Sequence, residues 1–324
     1  MNISVCKTEG GGRRNVTQLL SSFSWSGDYQ SAVRELSFKM LSTAINGSAA
    51  VAVALGDPFT LDIDGLTVFA GNVVSISRAS ENGSIDVRCF DRGRFLKGNK
   101  ATYQFKNTTP EAAAAQICRD FDIETGQLAA TGIAITRNFV AVDLYSIIQT
   151  MYTLAGQQNE KKYTERFDGL KLCVFEKAKR DNPVRIRAKE NLMDLSVTES
   201  IENLINRVQI LDKADKVKDT REDAASVSKY GLMQEQIKES GDAGKKADAT
   251  LRDKAPSQKI TVNNLGDIRC LTGSVVELQE PRTGLVGEFY IDSDTHTWVR
   301  GKYYNKLVLN FKNMMDEKSA GSEK

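Results

Sequence analysis

Residues 56–76 read GDPFTLDIDGLTVFAGNVVSI, and residues 273–293 read GSVVELQEPRTGLVGEFYIDS. Each stretch opens on glycine (Gly56, Gly273) and places leucine five positions later (Leu61, Leu278). Each turns at Gly-Leu (Gly65-Leu66, Gly284-Leu285) and continues through Gly71 or Gly287 into Val73-Val74 or Phe289-Tyr290, the second with a two-residue insertion in its turn. Alternating apolar positions around a glycine turn are the pattern of an antiparallel hairpin. The same hairpin written twice predicts two related β-modules, and so two similar surfaces per copy. Such a chain can adapt one symmetry to another, which points to assembly rather than chemistry.

Around the first hairpin, Ile3 and Val5, Val16 to Trp25, and Val33 to Met40 alternate as strands, and Gly10-Gly11-Gly12 supplies turn geometry. A further hairpin is expected at Glu81-Asn82-Gly83, with Val73/Ile76 and Ile85/Val87/Cys89 as its arms. Residues 1–105 therefore read as a first antiparallel barrel or sandwich. The texture changes at Thr109-Pro110-Glu111, where a hydroxyl N-cap, an N1 proline and an acid open a helix with Ala113, Ile117 and Phe121 on one face. A second helix starts at Asp143, carries Leu144, Ile147, Ile148, Met151 and Leu154 at helical spacing, and is expected to stop at Gly156. A hairpin about Asp168-Gly169 completes a small α+β domain over 106–185.

Strands return from 186, notably Asn206 to Leu211 with Val208 and Ile210 facing inward. Lys213 to Lys254 is charged and alanine-containing, with two expected helices, one before Gly241 and one from Asp242 to Lys254, stopped by Pro256. Strands resume from Lys259 to Asn310, and the polar stretch Asp316 to Lys324 reads as frayed. The expected fold is α+β and mainly β: two related antiparallel β-barrel domains, a small α+β insertion, and a helical excursion at 213–256 inside the second barrel domain, 186–324.

The chain has 324 residues, long enough for two or three cored domains, and a formal net charge of +2 with acids and bases interspersed. No basic footprint for nucleic acid is present at whole-chain level. MNISVCKTEGGGRR lacks the apolar core of a signal peptide, and the run Ala49 to Leu55 is too short to span a bilayer, so synthesis in the cytoplasm is expected. The five cysteines (Cys6, Cys89, Cys118, Cys173, Cys270) are scattered beside apolar residues and read as free, buried thiols. Without secretion, the sequons at Asn15, Asn46, Asn82 and Asn107 carry no meaning.

The residues offer little chemistry. The one histidine, His296, lies in SDTHTWVRG and is expected to bond a neighbouring backbone group rather than serve as base or metal ligand. No histidine–cysteine metal spacing or G-x-S-x-G elbow occurs. Gly241 to Lys246 has the wrong spacing for a phosphate loop and lacks the hydroxyl after lysine. GGGRR at Gly10 to Arg14 could cradle an anion, although a hairpin tip with two exposed arginines is the simpler reading. The carboxylate pairs Asp62/Asp64 and Asp292/Asp294 read as hairpin-end solvation, which leaves an acid-pair hydrolase as the alternative function. No catalytic residue, cofactor or metal is assigned.

Specific phrases resemble a known family. SIENLINRVQI (200–210), SVSKYGLMQEQI (226–237) and SGDAGKKADATLRDK (240–254) resemble the XkdQ-like baseplate hub proteins of contractile phage tails. Those hubs are grouped with phage late control protein D and the first domains of VgrG spikes. SFSWSGDYQSAVRELSF (22–38), TPEAAAAQICRDFDI (109–123) and LVGEFYIDSDTHTWVRGKYYNKLVL (285–309) fit the same pattern, in order and over nearly the whole chain.

The resemblance implies two related β-barrels per subunit and a homotrimer forming a pseudo-six-fold ring. That ring would dock on a six-fold tail tube and support a three-fold central spike. It implies further partners, a tape-measure or LysM-domain baseplate protein and wedge proteins, and a place in a virion, prophage element or bacteriocin tail. Neither membrane binding nor sequence-specific nucleic-acid binding is implied. Ser226, Lys229, Tyr230 and Gly231 match the family's S-x-x-K-Y-G phrase, with Gly231 suited to a tight turn and Tyr230 to anchoring the excursion. His296 matches a histidine near the final hairpin, in a structural role. With no needle, lysozyme or peptidase extension in the chain, spike and hydrolase are expected to be separate polypeptides.

Overall fold

The computed structural model describes residues 2–41, 51–78, 84–177, 182–239 and 243–322, except the Lys245 side chain. The turn expected at Glu81 to Gly83, the sequons at Asn46 and Asn82, and Gly241-Asp242 lie outside the described residues. The chain divides into two compact units, Met1–Leu195 with Thr261–Lys324, and Ser196–Ile260.

The first unit begins with β1 (Ile3–Glu9), β2 (Gly12–Asn15), β3 (Leu20–Asp28), β4 (Ser31–Leu41), β5 (Pro58–Ile63), β6 (Leu66–Arg78) and β7 (Ser84–Asp91). These pair in the order β3-β4-β7-β6-β5-β1-β2. Their alternation puts Phe23, Trp25, Leu36, Phe38, Phe59, Leu61, Phe69 and Val87 into one core. Each such aromatic or aliphatic side chain contributes about 1.5–3 kcal/mol on burial.

After α1 (Gly93–Gly98), a mixed region follows: β8 (Lys100–Thr108), α2 (Pro110–Asp120), β9 (Glu124–Leu128), β10 (Ile135–Asp143), α3 (Leu144–Asn159), β11 (Tyr163–Asp168) and β12 (Lys171–Glu176). Thr109 caps α2 by accepting from the Ala112 N–H, with Pro110 in the first turn, as its sequence predicts. Asp143 caps α3 by accepting from the Ser146 N–H at 2.9 Å. The expected stop at Gly156 is wrong: α3 runs through it to Asn159. A Cβ on Gly156 would sit 2.5 Å from the Lys161 carbonyl oxygen, so this glycine serves a close approach rather than a helix end.

The chain continues through β13 (Val184–Arg187) and β14 (Leu192–Ser200) into the second unit, with β15 (Arg207–Leu211), β16 (Val217–Glu222), α4 (Ala224–Tyr230), β17 (Gln234–Lys238) and α5 (Ala243–Asp253). The expected helical excursion contains its two helices, but also two strands flanking β15 in the order β16-β15-β17. All six residues of β16 are exposed, so VKDTRE has no apolar face to announce a strand. Val208, Ile210, Ala243 and Ala247 form this unit's small core.

β18 (Ser257–Leu265), β19 (Val275–Glu280), β20 (Leu285–Val299) and β21 (Lys302–Asn310) complete the chain's strands. They join the N-terminal strands in one thirteen-stranded sheet, along the open path β14-β18-β21-β20-β3-β4-β7-β6-β5-β1-β2, with β19 pairing β20 and β13 pairing β19 off that path. The mainly-β class is as expected; closure into two barrels is not, since the sheets are not closed into barrels. The reason lies in β20. One edge pairs β19 over Leu285 to Tyr290 and then, past the bulge at Asp292, pairs β3 over Ser293 to Val299. The edge that would close a second barrel is used to join the two halves.

The two sequence-related hairpins share their root. The Gly56 N–H donates to Val73 O and the Val73 N–H to Asp57 O; correspondingly the Gly273 N–H donates to Ile291 O and the Ile291 N–H to Ser274 O. All four root and turn glycines have positive φ, from 75° at Gly284 to 88° at Gly56. Register then corrects the alignment: Leu61 faces Phe69 while Leu278 faces Gly287, so Gly71 corresponds in space to Phe289, not Gly287.

Candidate functional site

β3 and β20 meet around a buried polar knot. Arg34, on β4, is 4% exposed and points inward beneath the Trp25 ring, its guanidinium carbon 4.1 Å from the ring centroid. Its Nη1 donates to Asp294 Oδ1 at 3.1 Å and its Nη2 to Asp294 Oδ2, a bidentate pair across the seam. The Thr272 N–H and hydroxyl both donate to Asp294 Oδ1 at 2.6 Å. Burial alone would raise the Asp294 carboxyl; the Arg34 charge, the nearby His296 ring and the Arg34 hydrogen bonds overcome it and hold the group well below the usual carboxylate range. A Cβ on Gly27 would lie 2.2 Å from Arg34 Nη1, so only glycine lets the guanidinium pass.

His296 is fully buried beside this pair. Asn305 Oδ1 accepts from the Asp267 N–H at 2.6 Å, which turns its amide nitrogen toward His296 Nδ1 at 2.9 Å. His296 Nε2 lies 3.2 Å from Asp294 Oδ2. The Tyr303 hydroxyl lies 2.7 Å from Nδ1. The partners are thus side chains, not the backbone group expected for this histidine. The imidazole is closed off from solvent against Asp294, and it has no exposed face to meet a substrate.

Of the carboxylates weighed as pairs, Asp64 is the exposed hairpin end expected, while Asp62, Asp292 and Asp294 are buried. Asp294 is 1% exposed, and Asp292, 8% exposed, accepts from Asn310 Nδ2 at 3.0 Å. Asp62 is held by Arg13 and Thr67, and Asp64 accepts from the Asn2 N–H. Arg13 of the glycine-rich tip is exposed, as expected, and pairs with Asp62. Above the knot, a groove of about 470 Å³ is lined by hydroxyls and carboxylates that include Ser26, Asp28, Glu35, Ser293 and Thr295. All five cysteines are free and buried. Among the described residues no cluster of three metal-ligating side chains occurs, and no helix is long and apolar enough to cross a membrane.

Ser226, Lys229, Tyr230 and Gly231 belong to the second unit, and His296 belongs to the first. The Ser226 N–H is capped by Asp223 at 3.0 Å, and Gly231 ends α4 with φ +85°, a turn that glycine favours. Lys229 Nζ lies 4.9 Å from the Tyr230 ring centroid. The residue that ties the phrase together is Asn206, 1% exposed. Its Nδ2 donates to Gly231 O at 2.7 Å, its Oδ1 accepts from the Met233 N–H at 2.8 Å, and its backbone bonds Met233 O and the Asp223 N–H. Neither Asn206 nor Arg34 carries a local sequence signal. An asparagine before a strand and an arginine within one are ordinary until the fold buries them.

The YqbQ-like family model matches residues 23–310. The phage-like element PBSX protein XkdQ of Bacillus subtilis is 23% identical over 277 residues, covering 82% of this chain and 85% of the relative. The fold is also that of the 43 kDa tail protein of prophage MuSo2 from Shewanella oneidensis, with a TM-score of 0.73, 15% identity, and 97% and 99% of the two chains covered. The E. coli c3393 protein, a type VI secretion component described as similar to T4 tail proteins gp27 and gp5, superposes with a TM-score of 0.55 at 10% identity, covering 94% of this chain and 76% of that one. With its polar knot sealed from solvent and its fold that of phage tail proteins, this chain belongs to the YqbQ-like family.

Proposed function

We propose that this protein is the structural, non-enzymatic hub of a contractile-tail baseplate, in a phage, a prophage element or a phage-tail-like bacteriocin. Three copies form a pseudo-six-fold ring that joins a six-fold tail tube to a three-fold central spike. The observation that carries this reading is the seam: two hairpins with the same root geometry are fused through β3 and β20 into one sheet and locked by Arg34–Asp294. Three copies of a chain with two similar modules offer six near-equivalent contacts. In this reading residues 1–105 and 186–324 hold the two modules, and 106–185 is set between them. Further partners are a tape-measure or LysM-domain baseplate protein and the wedge proteins, with the Ser226–Gly231 phrase taking part in assembly.

Light scattering across concentration, with negative-stain imaging of the same fractions, tests the proposal. A species of three times 35.8 kDa with a central opening supports it, as does a monomer that becomes a ring on mixing with tube and spike proteins. A monomer that binds neither partner overturns it.

A further inference from the structure

The segment after β21, read from sequence as frayed beyond Asp316, instead lies as an extended strap on the α+β region of the first unit. Asn313 Nδ2 donates to Lys177 O at 2.7 Å, and Lys177 Nζ donates to Met314 O. The Lys318 and Ala320 N–H groups donate to the hydroxyls of Thr153 and Thr150 on α3, at 3.2 and 3.1 Å. Arg137 Nε reaches Ala320 O at 2.6 Å, and Ser322 pairs with Asn138 on β10 through two backbone bonds of 2.9 and 3.0 Å. Gly321 has φ +72°, and a Cβ there would stand 2.3 Å from Asn138 O. Ten residues are thus held by backbone bonds, side-chain anchors and a required glycine, which is a built seat rather than a loose end.

On β11, the Tyr163 N–H donates to the strap's Met315 Sδ at 3.4 Å, two residues from Glu165 on the same buried face, and one group there is out of balance. Glu165, on β11, is 7% exposed, and neither carboxylate oxygen has a hydrogen-bond partner among the described residues. Asp316 on the strap accepts from the Tyr145 hydroxyl at 2.6 Å and pairs with Lys318 Nζ at 3.1 Å. The charged and titratable groups acting on Glu165, or feeling its charge, are Asp316 and Lys318 on the strap, Lys97 on α1, Cys118 on α2, and Tyr145 and Tyr152 on α3. Burial first, and the Asp316 charge second, push the Glu165 carboxyl up to about 8, so at neutral pH it is protonated while the strap is seated.

We propose that residues 313–322 are a proton-linked latch, seated on β10, α3 and β11 while Glu165 holds a proton and opening as that proton is lost. Lifting the strap hydrates Glu165 and returns it to the ordinary carboxyl range. The seated form therefore binds the proton more tightly. The opening equilibrium rises with pH from about 4.5 to about 8, by at most about tenfold per pH unit, and is flat above.

Hydrogen exchange of the full chain from pH 5 to 8.5, corrected for intrinsic rates, tests the latch at the Lys318, Ala320 and Ser322 amides. The expected result is a loss of protection that steepens toward tenfold per pH unit and levels near pH 8, and a Glu165→Gln profile that is flat. Wild-type protection that does not change between pH 5 and 8 overturns the latch, as does a Glu165→Gln profile that follows wild type. Should Glu165→Gln not fold, Asp316→Asn decides, because it keeps an acceptor for Tyr145 while removing the charge. Its rise must level off at a lower pH than wild type, and an unshifted rise overturns the proposal.

Discussion

Arg34 and Asp294 are separated by 260 residues and form a bidentate ion pair with side chains 4% and 0% exposed. Desolvating two charges costs several kcal/mol per ion, and here two guanidinium bonds, two bonds from Thr272 and the His296 imidazole offset that cost. The pair specifies which strand joins which. A β3 slipped by one residue on β20 would turn its side chains to the other face and set Ser26 or Asp28, rather than Gly27, opposite Asp294.

Removing one partner leaves the other charge buried alone. Asp294→Ala is expected to lower the unfolding free energy by about 3–5 kcal/mol, read from urea midpoints. The double variant Arg34→Met/Asp294→Leu is expected to recover at least half of that loss. If the single and double variants lose equally, the pair does not act as a unit.

Ala141 holds φ +53° at the β10 bulge, with its side chain exposed and its N–H bonded to the Thr102 hydroxyl. An L-residue there carries about 1 kcal/mol of strain that glycine lacks. Ala141→Gly is expected to stabilise the chain by about 0.5–1 kcal/mol in the same assay, and a destabilisation of that size would show the strain to be absent.

Asn206 and Tyr230 separate folding from assembly in the second unit. Asn206→Ala deletes three side-chain bonds from a buried site and is expected to cost about 2–4 kcal/mol, unprotecting amides over 206–233. Tyr230→Ala loses a partly exposed ring and a cation–π contact, about 1 kcal/mol or less. A Tyr230→Ala chain that folds normally but fails to enter particles places that ring in an interface. Normal particle production removes it from one.

The pH dependence follows from three buried carboxyls. Burial raises Asp91 to about 7, against hydrogen bonds from the Arg34 and Gly93 N–H groups, and raises Glu165 to about 8. Both are protonated in the native chain and ionised in the unfolded one at pH 5 to 7, so each lowers stability by up to about 1.4 kcal/mol per pH unit across that window. Asp294 acts oppositely: its depressed pKa contributes stability above about pH 4 that is lost as pH falls further. Urea midpoints should peak near pH 4–5 and decline toward pH 8, with Glu165→Gln declining less steeply. A midpoint that rises steadily from pH 5 to 8 contradicts both raised sites.

Hairpins, caps and strand faces were legible because each is set by neighbours in sequence. Thr109-Pro110 opens α2, Asp143 opens α3, and the glycines at 56, 65, 273 and 284 take the positive φ their turns require. What depends on distant partners was not legible. Gly156 looks like a helix stop, yet the Lys161 carbonyl decides its role. Asp294 looks like half of an exposed acid pair until Arg34 and Thr272 enclose it. The strap reads as frayed because its polar residues bond by backbone to β10 and α3, and composition does not reveal backbone bonds.

The β3–β20 seam also sets a timetable for biosynthesis. On a ribosome adding about 5–20 residues per second, β3 emerges tens of seconds before the strand it must meet. Through that interval Ser22 to Asp28 present an unpaired strand edge, and Arg34 lacks its counterion. In a crowded cell, nascent copies on one message carry the same open edge side by side. Yield should therefore respond to elongation speed and chaperone supply more than the finished protein's stability would indicate.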